Sequence, residues 1–585
     1  MPGMKSVLVA NRGEIAVRVI RSAREQGLRA IAVYSELDRD ALHVQLADEA
    51  WNIGPAPAAE SYLNIKRILE VAAESKADAV HPGYGFLAEN AEFAEAVSAA
   101  GLIWIGPPPE AIRTMGDKIA SRKAAQKAGV PMVPGTIDAL ESADEAKKIA
   151  AEFGYPVAIK ASAGGGGKGL RVVRNDDELD GAIDGAQREA EAYFGNAAVY
   201  VEKYVENARH IEAQVIVDAN GVGHFLGERD CSVQRRHQKL IEETPAMDFP
   251  DRVRKKFAKA ALAIAEACGY RNAGTVEFLL DRDHNFYFLE MNTRLQVEHT
   301  ITEMVTGIDL VQAQIAVAKG EPLPFDGIEP RGHAIEFRIN AEDPGRDFLP
   351  TPGRIIDYRE PAGFGVRVDS WVRPATSVSQ YYDNLMAKLV VWGIDRDEAI
   401  RRAKRALTEY SITGVRSTIP AHLAVLDHPD FVAGRHHTKW MEDVVDLSHI
   451  KWEPSSTLPE DTDLTERSIM VEVGGRRYDV RMWTSQIQQA AGGTRPTPRL
   501  KSPKLDRGGG AGGADAGVLT APMQGTIVKL HVKAGDRVEA GDPVCILEAM
   551  KMENEVKAPI DGEIVDLKVR SGDTVTPGAI IAVIR

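Results

Sequence analysis

The C-terminal end of the chain repeats itself, and the repeat is organised around one lysine. Ala521–Leu547 can be laid on Ala558–Ile584 at a single offset, 558 − 521 = 37. Gly525 then meets Gly562, Ile527 meets Ile564, Leu530 meets Leu567, Gly535-Asp536 meets Gly572-Asp573, and Gly541 meets Gly578. Each half reads as short β-strands joined by Gly-Asp turns. Two such halves are predicted to close into a small flattened barrel. Lys551, between Met550 and Met552, falls at the hairpin joining the halves and is fully presented to solvent. A lysine presented in this way is a handle for a covalent group.

The stretch Glu548–Asn554, EAMKMEN, inside this repeat resembles the biotinyl (biotin carboxyl carrier) domain, whose central lysine is biotinylated. The lipoyl domain shares that fold but usually lacks a methionine on each side of its lysine. The resemblance implies biotin, attached to Lys551 by a biotin protein ligase.

At 585 residues the chain is too long for one core, and at least three domains are expected. A formal net charge of −14 argues against a nucleic-acid partner. No apolar run is long enough to cross a bilayer. The N-terminus runs straight into the apolar stretch Val7-Leu8-Val9 and reads as having no signal peptide. Three widely spaced cysteines, Cys231, Cys268 and Cys545, suit neither a disulfide framework nor a zinc site, so a reducing, cytoplasmic location is expected.

Residues 1–115 alternate predicted strands (Ser6–Ala10, Ile31–Tyr34, a third ending at Ala79-Val80) with helices such as Glu14–Gln26, the pattern of a doubly wound sheet. VANRGEIA and HPGYGFLAEN resemble the N-terminal domain of biotin carboxylases, although strand-end turn chemistry accounts for many of those residues. Residues 116–331 contain Ala163–Gly169, in which four consecutive glycines can turn backbone N–H groups on phosphate oxygens, or simply form a flexible loop. Lys168 is followed by glycine, so this is not a Walker A loop. Together with Lys118 and Lys160 the run resembles the ATP-grasp fold. That resemblance implies that Lys118 and Lys160 neutralise ATP phosphates and that Gly166 and Gly167 give flap N–H contacts. It also implies that Glu202, Lys203, Tyr204 and Val205 hold the adenine edge, with His210, Gln234 and His237 near the nucleotide and Leu279 under the base.

Within Phe288–His299, Glu290, Asn292, Arg294, Gln296 and Glu298 occupy alternate positions. Read as one extended strand, they point together into a cleft; a solvent-facing strand gives the same alternation. Glu277, on the preceding predicted strand Thr275–Leu280, adds a hard oxygen donor suited to Mg²⁺. The ATP-grasp resemblance makes Glu277, Glu290 and Asn292 ligands of Mg²⁺ (or Mn²⁺). It places Lys239, Arg294, Gln296 and the Val297 backbone on bicarbonate, makes Glu298 the base, and has Arg338 stabilise the biotin enolate. Cys231 reads as either a nucleophile or a small filler, filler being the better account.

Residues 332–446, with predicted strands Arg354–Tyr358, Val366–Ser370 and Met386–Trp392 and helix Arg396–Glu409, resemble the biotin carboxylase C-terminal domain. Residues 447–517 hold a probable hairpin, Ile469–Trp483 across Gly474-Gly475, and a Pro/Gly-rich linker from about Gln488. Some 30 linker residues reach roughly 30 Å on average, enough for the carrier to swing. By analogy with longer relatives, the hairpin is a remnant of a subunit-docking domain. Residues 518–585 are the carrier. The predicted class is therefore α/β and α+β multidomain with an all-β carrier.

The resemblance as a whole is to the α subunit of acyl-CoA carboxylases, of the acetyl- or propionyl-CoA type. It implies ATP-dependent carboxylation of biotin by bicarbonate through carboxyphosphate. A carboxyltransferase β subunit is then needed, since no region of the chain is left for that activity, and a homo-oligomer within a larger complex is implied. Two other readings stand beside it. One is a non-catalytic carrier or scaffold whose ATP-grasp half only binds nucleotide. The other is a different ATP-grasp ligase joined to a lipoyl domain.

Overall fold

The computed structural model describes residues 3–136, 140, 143–161, 171–194, 198–325, 327–451, 464–473, 476–485, 517–522, 525–549, 552–575 and 578–585. Gly166, Gly167 and Lys551 lie outside the described residues, as does nearly all of the expected linker. The chain divides into two compact units, one built on Met1–Ile450 and one on Lys451–Glu548 with Glu553–Arg585.

The first unit begins with a five-stranded parallel sheet in the order Glu49–Gly54, Arg29–Ser35, Ser6–Val9, Ala79–His81, Ile103–Trp104. The order reverses beside Ser6–Val9, so the turn Asn11–Gly13 and the loop Pro82–Tyr84 meet at the crevice where such sheets place functional groups. Asn11 Nδ2 donates to Pro82 O at 2.7 Å and to Tyr84 O at 2.8 Å, tying the two loops together. Gly13 and Gly83 have φ of +67° and +64°, and a Cβ on Gly83 would stand 2.9 Å from Asn11 Nδ2.

An eight-stranded sheet follows, ordered Phe286–Asn292, Asn272–Leu280, Arg209–Val217, Gly223–Arg235, Gln238–Thr244, His333–Asn340, Leu385–Gly393, Val366–Ser370. It runs without a break from the segment expected to bind nucleotide into the one expected to cap the site. Helix Arg396–Glu409, with the Asp395 side chain accepting from Glu398 N at 2.8 Å, contributes Ala399, Ala403 and Leu407 to a core shared with that sheet. A three-stranded antiparallel sheet, Arg171–Val173, Val157–Ala161, Val199–Lys203, has its own small core of Val157, Ile159, Val173, Val199 and Val201.

Two expectations are corrected. Phe288–His299 is not one strand: the strand is Phe286–Asn292, and helix His299–Thr306 starts seven residues later. Past Asn292 the ladder stops, and Thr293 N donates at 3.0 Å to the Glu89 carboxylate instead of to a strand. Arg354–Tyr358 is likewise broken, into Gly353–Arg354 and Asp357–Arg359. Ile355 N bonds Thr376 O while Ile356 N bonds Thr413 O, so neighbouring residues pair with different partners.

In the second unit the sequence repeat becomes two four-stranded sheets that exchange strands. One holds Val518–Thr520, Ile580–Ile584, Gly562–Leu567 and Arg537–Val538; the other holds Met552–Lys557, Pro543–Ala549, Gly525–Leu530 and Thr574–Val575. Gly562–Leu567 is Gly525–Leu530 moved by 562 − 525 = 37, and Thr574–Val575 is Arg537–Val538 moved by the same step. The cross-bonds repeat too: Gly535 N bonds Ile564 O at 2.8 Å, and Gly572 N bonds Ile527 O at 2.7 Å. Those glycines have φ of +91° and +93°. Lys551 follows the strand ending at Ala549 and precedes the one starting at Met552. The expected hairpin is present as Leu464–Val473 paired with Arg476–Ser485, longer at both ends than the sequence suggested.

Candidate active site

Strand Arg209–Val217 alternates His210, Glu212 and Gln214 with apolar residues, and all three polar residues are buried. Side chains two apart share a face, so this strand supplies a polar floor. Asn272–Leu280 on one side adds Glu277, opposite Glu212 in the register, and Glu277 faces Glu290 across the next pairing. Gly223–Arg235 and Gln238–Thr244 turn at Arg236-His237, both with positive φ, which sends Lys239 back over the floor opposite Gln234. His333–Asn340 supplies Arg338.

Lys239 is the hub. Its Nζ donates to Glu212 Oε2 at 2.7 Å, Glu277 Oε1 at 2.8 Å and Glu298 Oε1 at 2.7 Å. An ammonium has three donors, and all three go to carboxylates. Arg338 Nε donates to Glu242 Oε1 at 2.6 Å and Nη2 to Glu298 Oε2 at 2.9 Å. Arg229, fully buried, anchors Glu212 from behind at 2.5 Å. Asn292 and Gln296 donate to Glu277 Oε1 at 2.8 and 3.0 Å, and His210 Nε2 lies 3.1 Å from Glu277 Oε2. Arg294 bonds Gln296 Oε1 at 2.8 Å, Asn292 Oδ1 at 3.0 Å and Glu89 at 2.9 Å.

These contacts set the protonation states. Burial works to raise the Glu298 carboxyl, but the charges of Lys239, Arg338 and Arg229 hold it well below the usual range. Burial works to lower the Lys239 ammonium, and Glu212, Glu277 and Glu298 raise it well above its ordinary value. Burial pushes Glu242 up to about 7, against the pull of Arg338. Cys231, whose Sγ lies 3.9 Å from Glu298, has its thiol pushed far up by burial and stands protonated, as suits a filler rather than a nucleophile.

The nucleotide side is arranged as a second group. Burial lowers the Lys118 ammonium, with Glu290 opposing and the nearby charge of Lys160 adding to the effect. Two neighbouring cations are a good seat for a polyphosphate. Lys160 is paired with the buried Glu202 carboxylate, which Arg122 also holds, at 3.3 Å. Lys203 Nζ donates to the Gly154 and Tyr155 carbonyls at 3.0 and 2.8 Å. Tyr204 and Val205 follow it, half-buried, and half-buried Leu279 sits opposite His210 in the ladder. His237 is exposed at its turn.

The residues fit a divalent cation. Glu277 and Glu290 are directly opposed on adjacent strands, a placement that repels unless a cation lies between. With Asn292 they form an all-oxygen donor set of the kind hard cations take. The structure thus gathers Lys239, Glu277, Asn292, Arg294, Gln296, Glu298, Arg338 and His210 at one centre. Sequence reasoning missed Glu212, Arg229 and Glu242; the polar alternation His210, Glu212, Gln214 was the signal for the first.

An open parallel sheet, a clamp of two further sheets and a carboxylate–cation centre beside paired lysines define an ATP-grasp ligase. Residues 3–112 match the family described as biotin carboxylase, N-terminal domain, residues 117–325 the carbamoyl-phosphate synthase L chain ATP binding domain, residues 336–443 the biotin carboxylase C-terminal domain, and residues 517–584 the biotin-requiring enzyme family. The chain is 48% identical over 559 residues to the biotin-dependent acyl-coenzyme A carboxylase alpha3 subunit of Mycobacterium leprae, covering 94% of this chain and 93% of that one. It is 41% identical to the mitochondrial methylcrotonoyl-CoA carboxylase subunit alpha of Mus musculus, over 94% of this chain and 89% of the relative. The biotin carboxylase domain dimer of Hydrogenobacter thermophilus 2-oxoglutarate carboxylase, solved with MgADP, ADP and bicarbonate, superposes with a TM-score of 0.72 at 46% identity, over 76% of this chain and 98% of that one. The chain belongs to the biotin-dependent carboxylases: biotin carboxylase domains joined to a biotinyl carrier, carrying out ATP-dependent carboxylation of biotin. Biotin, ATP and Mg²⁺ are its cofactors.

Proposed function

We propose that this chain is the biotin-carboxylating α subunit of an acyl-CoA carboxylase, acting in the cytoplasm, and that a separate carboxyltransferase β subunit passes the carboxyl group from biotin on Lys551 to the acyl-CoA. The observation that carries this is coverage: the mycobacterial α3 subunit matches over nearly the whole of both chains, carrier included. The domain division follows the sequence boundaries: 1–115, 116–331, 332–446, the 447–517 connection and the 518–585 carrier.

In this reading Lys118 and Lys160 hold the ATP phosphates, joined by Gly166 and Gly167. Glu202, Lys203, Tyr204, Val205, His210, Gln234, His237 and Leu279 frame the nucleotide. Glu277, Glu290 and Asn292 hold Mg²⁺, which when bound offsets charge on the transferring phosphoryl group. Bicarbonate enters the corner of Lys239, Arg294, Gln296, the Val297 backbone and Arg338. There it takes over donors that Lys239 and Arg338 now give to Glu298. Losing those partners returns basicity to Glu298, which then accepts the bicarbonate proton as its oxygen attacks the γ-phosphorus and ADP leaves. Carboxyphosphate breaks down to CO₂ and phosphate; the phosphate would take the N–H proton of the biotin ureido group, Arg338 would balance the negative charge this leaves on the ureido oxygen, and the freed nitrogen would bond to CO₂.

The test is affinity purification of the chain from its native cell, followed by identification of what co-purifies. A carboxyltransferase subunit that turns over an acyl-CoA supports the reading. One that turns over only pyruvate or another non-CoA acid overturns it.

A further inference from the structure

Lys388 has no exposed surface and no part in the chemistry above. It lies in strand Leu385–Gly393, directly opposite Arg338 in the register of the adjoining strand. Its Nζ donates to the Val297 carbonyl at 2.8 Å and stands 3.2 Å from Glu14 Oε1. Glu14 is buried in the first turn of helix Gly13–Glu25, at the crevice of the parallel sheet. The Tyr84 hydroxyl, from the other loop of that crevice, donates to the same Glu14 oxygen, and the Tyr84 ring centroid lies 6.0 Å from Nζ. Three stretches far apart in sequence therefore meet on one buried ammonium.

The geometry has a direct bearing on Glu298. Residues 293–298 leave the sheet and have no ladder to hold them. Two adjacent cations grip the end of this segment instead. Arg338 takes the Glu298 carboxylate at 2.9 Å, and Lys388 takes the carbonyl of the residue before it. A peptide unit is planar, so fixing the Val297 carbonyl fixes the direction of the Glu298 N–H and the root of its side chain. A fully buried lysine is rare unless paired, and an apolar residue of similar size would fill the space.

We propose that Lys388 is a positioning residue for the carboxylation reaction: held by Glu14 and Tyr84, it orients the Val297–Glu298 peptide and so aims the Glu298 carboxylate at bicarbonate. It touches no substrate itself. The proposal rests on placing bicarbonate at the Lys239–Glu298–Arg338 corner.

The test compares full-length wild type with Lys388→Met and with the double variant Glu14→Gln/Lys388→Met, in which no charge of the pair stays buried alone. For each, MgATP affinity is measured by calorimetry, and the bicarbonate KM and kcat of bicarbonate-dependent ATP cleavage are measured with free biotin. The expected result is MgATP affinity within about twofold of wild type while kcat over the bicarbonate KM falls on the order of 10²-fold, the cost of a small misplacement. The acid limb of the pH–rate profile is expected to move as well. A folded double variant with wild-type bicarbonate kinetics overturns the proposal. So does a loss of MgATP affinity equal to the loss of turnover, or failure of both variants to fold, since each marks a purely structural pair. Wild type that cleaves no ATP with bicarbonate would instead remove the bicarbonate assignment, so the two failures are distinct.

Discussion

Lys239 Nζ and Glu298 Oε1 stand 2.7 Å apart, and Lys239 spends its other two donors on Glu212 and Glu277. One cation thus neutralises part of three carboxylates, of which Glu212 and Glu298 have no exposed surface. Removing it leaves buried like charges facing one another. Lys239→Met is expected to destabilise the chain by ~3–5 kcal/mol, the usual cost of orphaning a buried charge. A fall in the urea midpoint checks this. An unchanged midpoint would show that the carboxylates are neutral or solvated.

Glu298→Gln keeps the shape of that corner but cannot accept a proton. Bicarbonate-dependent ATP cleavage is expected to fall by about 10²–10⁴, the range for loss of a general base, with MgATP affinity little changed. Steady-state kinetics with free biotin decides it, and near-wild-type turnover removes Glu298 from the role of base.

Glu290→Gln takes one of two opposed carboxylates from the proposed Mg²⁺ site. Turnover is expected to drop on the order of 10²-fold or more even at saturating Mg²⁺ and ATP. Isothermal calorimetry should show weakened Mg²⁺-dependent ADP binding alongside it. Unaltered kinetics and unaltered Mg²⁺ dependence would take Glu290 out of the site.

How far these features were legible from sequence depended on how local their cause was. The carrier was legible because its repeat is written in the chain: one offset of 37 maps Gly525–Leu530 onto Gly562–Leu567, and the structure turns that into strand exchange. Helix Arg396–Glu409 has the ends expected of it, and its start is set locally by the adjacent Asp395, whose side chain accepts from Glu398 N. The end of the strand at Asn292 was not legible, because it is set by Glu89 capturing Thr293 N from 204 residues away. Lys388 was silent for the same reason: its own strand Leu385–Gly393 otherwise reads as plain core, and its partner Val297 is 91 residues distant. The predicted site residues that the structure brings together came as runs with mixed polar chemistry, residues 290–298 above all. Glu212, Arg229 and Glu242 were missed because what gives them their place is distant in sequence: Lys239 for Glu212, Glu212 for Arg229 and Arg338 for Glu242.

Glu243 ties the ATP-grasp strands to the C-terminal segment through His333 Nε2 at 2.8 Å and Arg396 at 2.6 and 3.1 Å. Burial would raise its carboxyl, but Arg396 and His333 bring it from 4.5 down to about 2. A depressed folded-state value means stability that is present above the ordinary pKa and lost as pH falls toward the folded one. Glu243 therefore contributes ~3 kcal/mol at neutral pH that fades below pH 4.5. Urea midpoints taken from pH 6 to pH 3 should fall less steeply for Glu243→Gln than for wild type. Parallel curves would show that the carboxyl is not depressed.

The modification and the division of labour can be tested together. Lys551 lies between strands ending at Ala549 and starting at Met552, at the join of the two exchanged halves. Streptavidin blotting and intact mass of wild type and Lys551→Arg should show biotin on the first alone, and equal signal from both would remove the assignment. Given ATP, Mg²⁺ and radiolabelled bicarbonate, the wild-type chain is then expected to label free biotin or its own carrier, and no acyl-CoA. The first half follows from the assembled centre of Lys239, Glu277, Asn292, Arg294, Glu298 and Arg338 beside Lys118 and Lys160. The second half follows from what the matched regions leave: residues 444–516 between them are too short a stretch for a CoA pocket and an oxyanion hole. Acetyl-, propionyl- and longer acyl-CoA are supplied in turn, and acid-stable label is counted in each. Lys551→Arg should still carboxylate free biotin, because its ATP-grasp centre is intact, but should lose the protein-bound label. Acid-stable label in an acyl-CoA without a second protein would overturn the split between subunits, while label reaching the carrier only in wild type would place the transferable carboxyl group on Lys551.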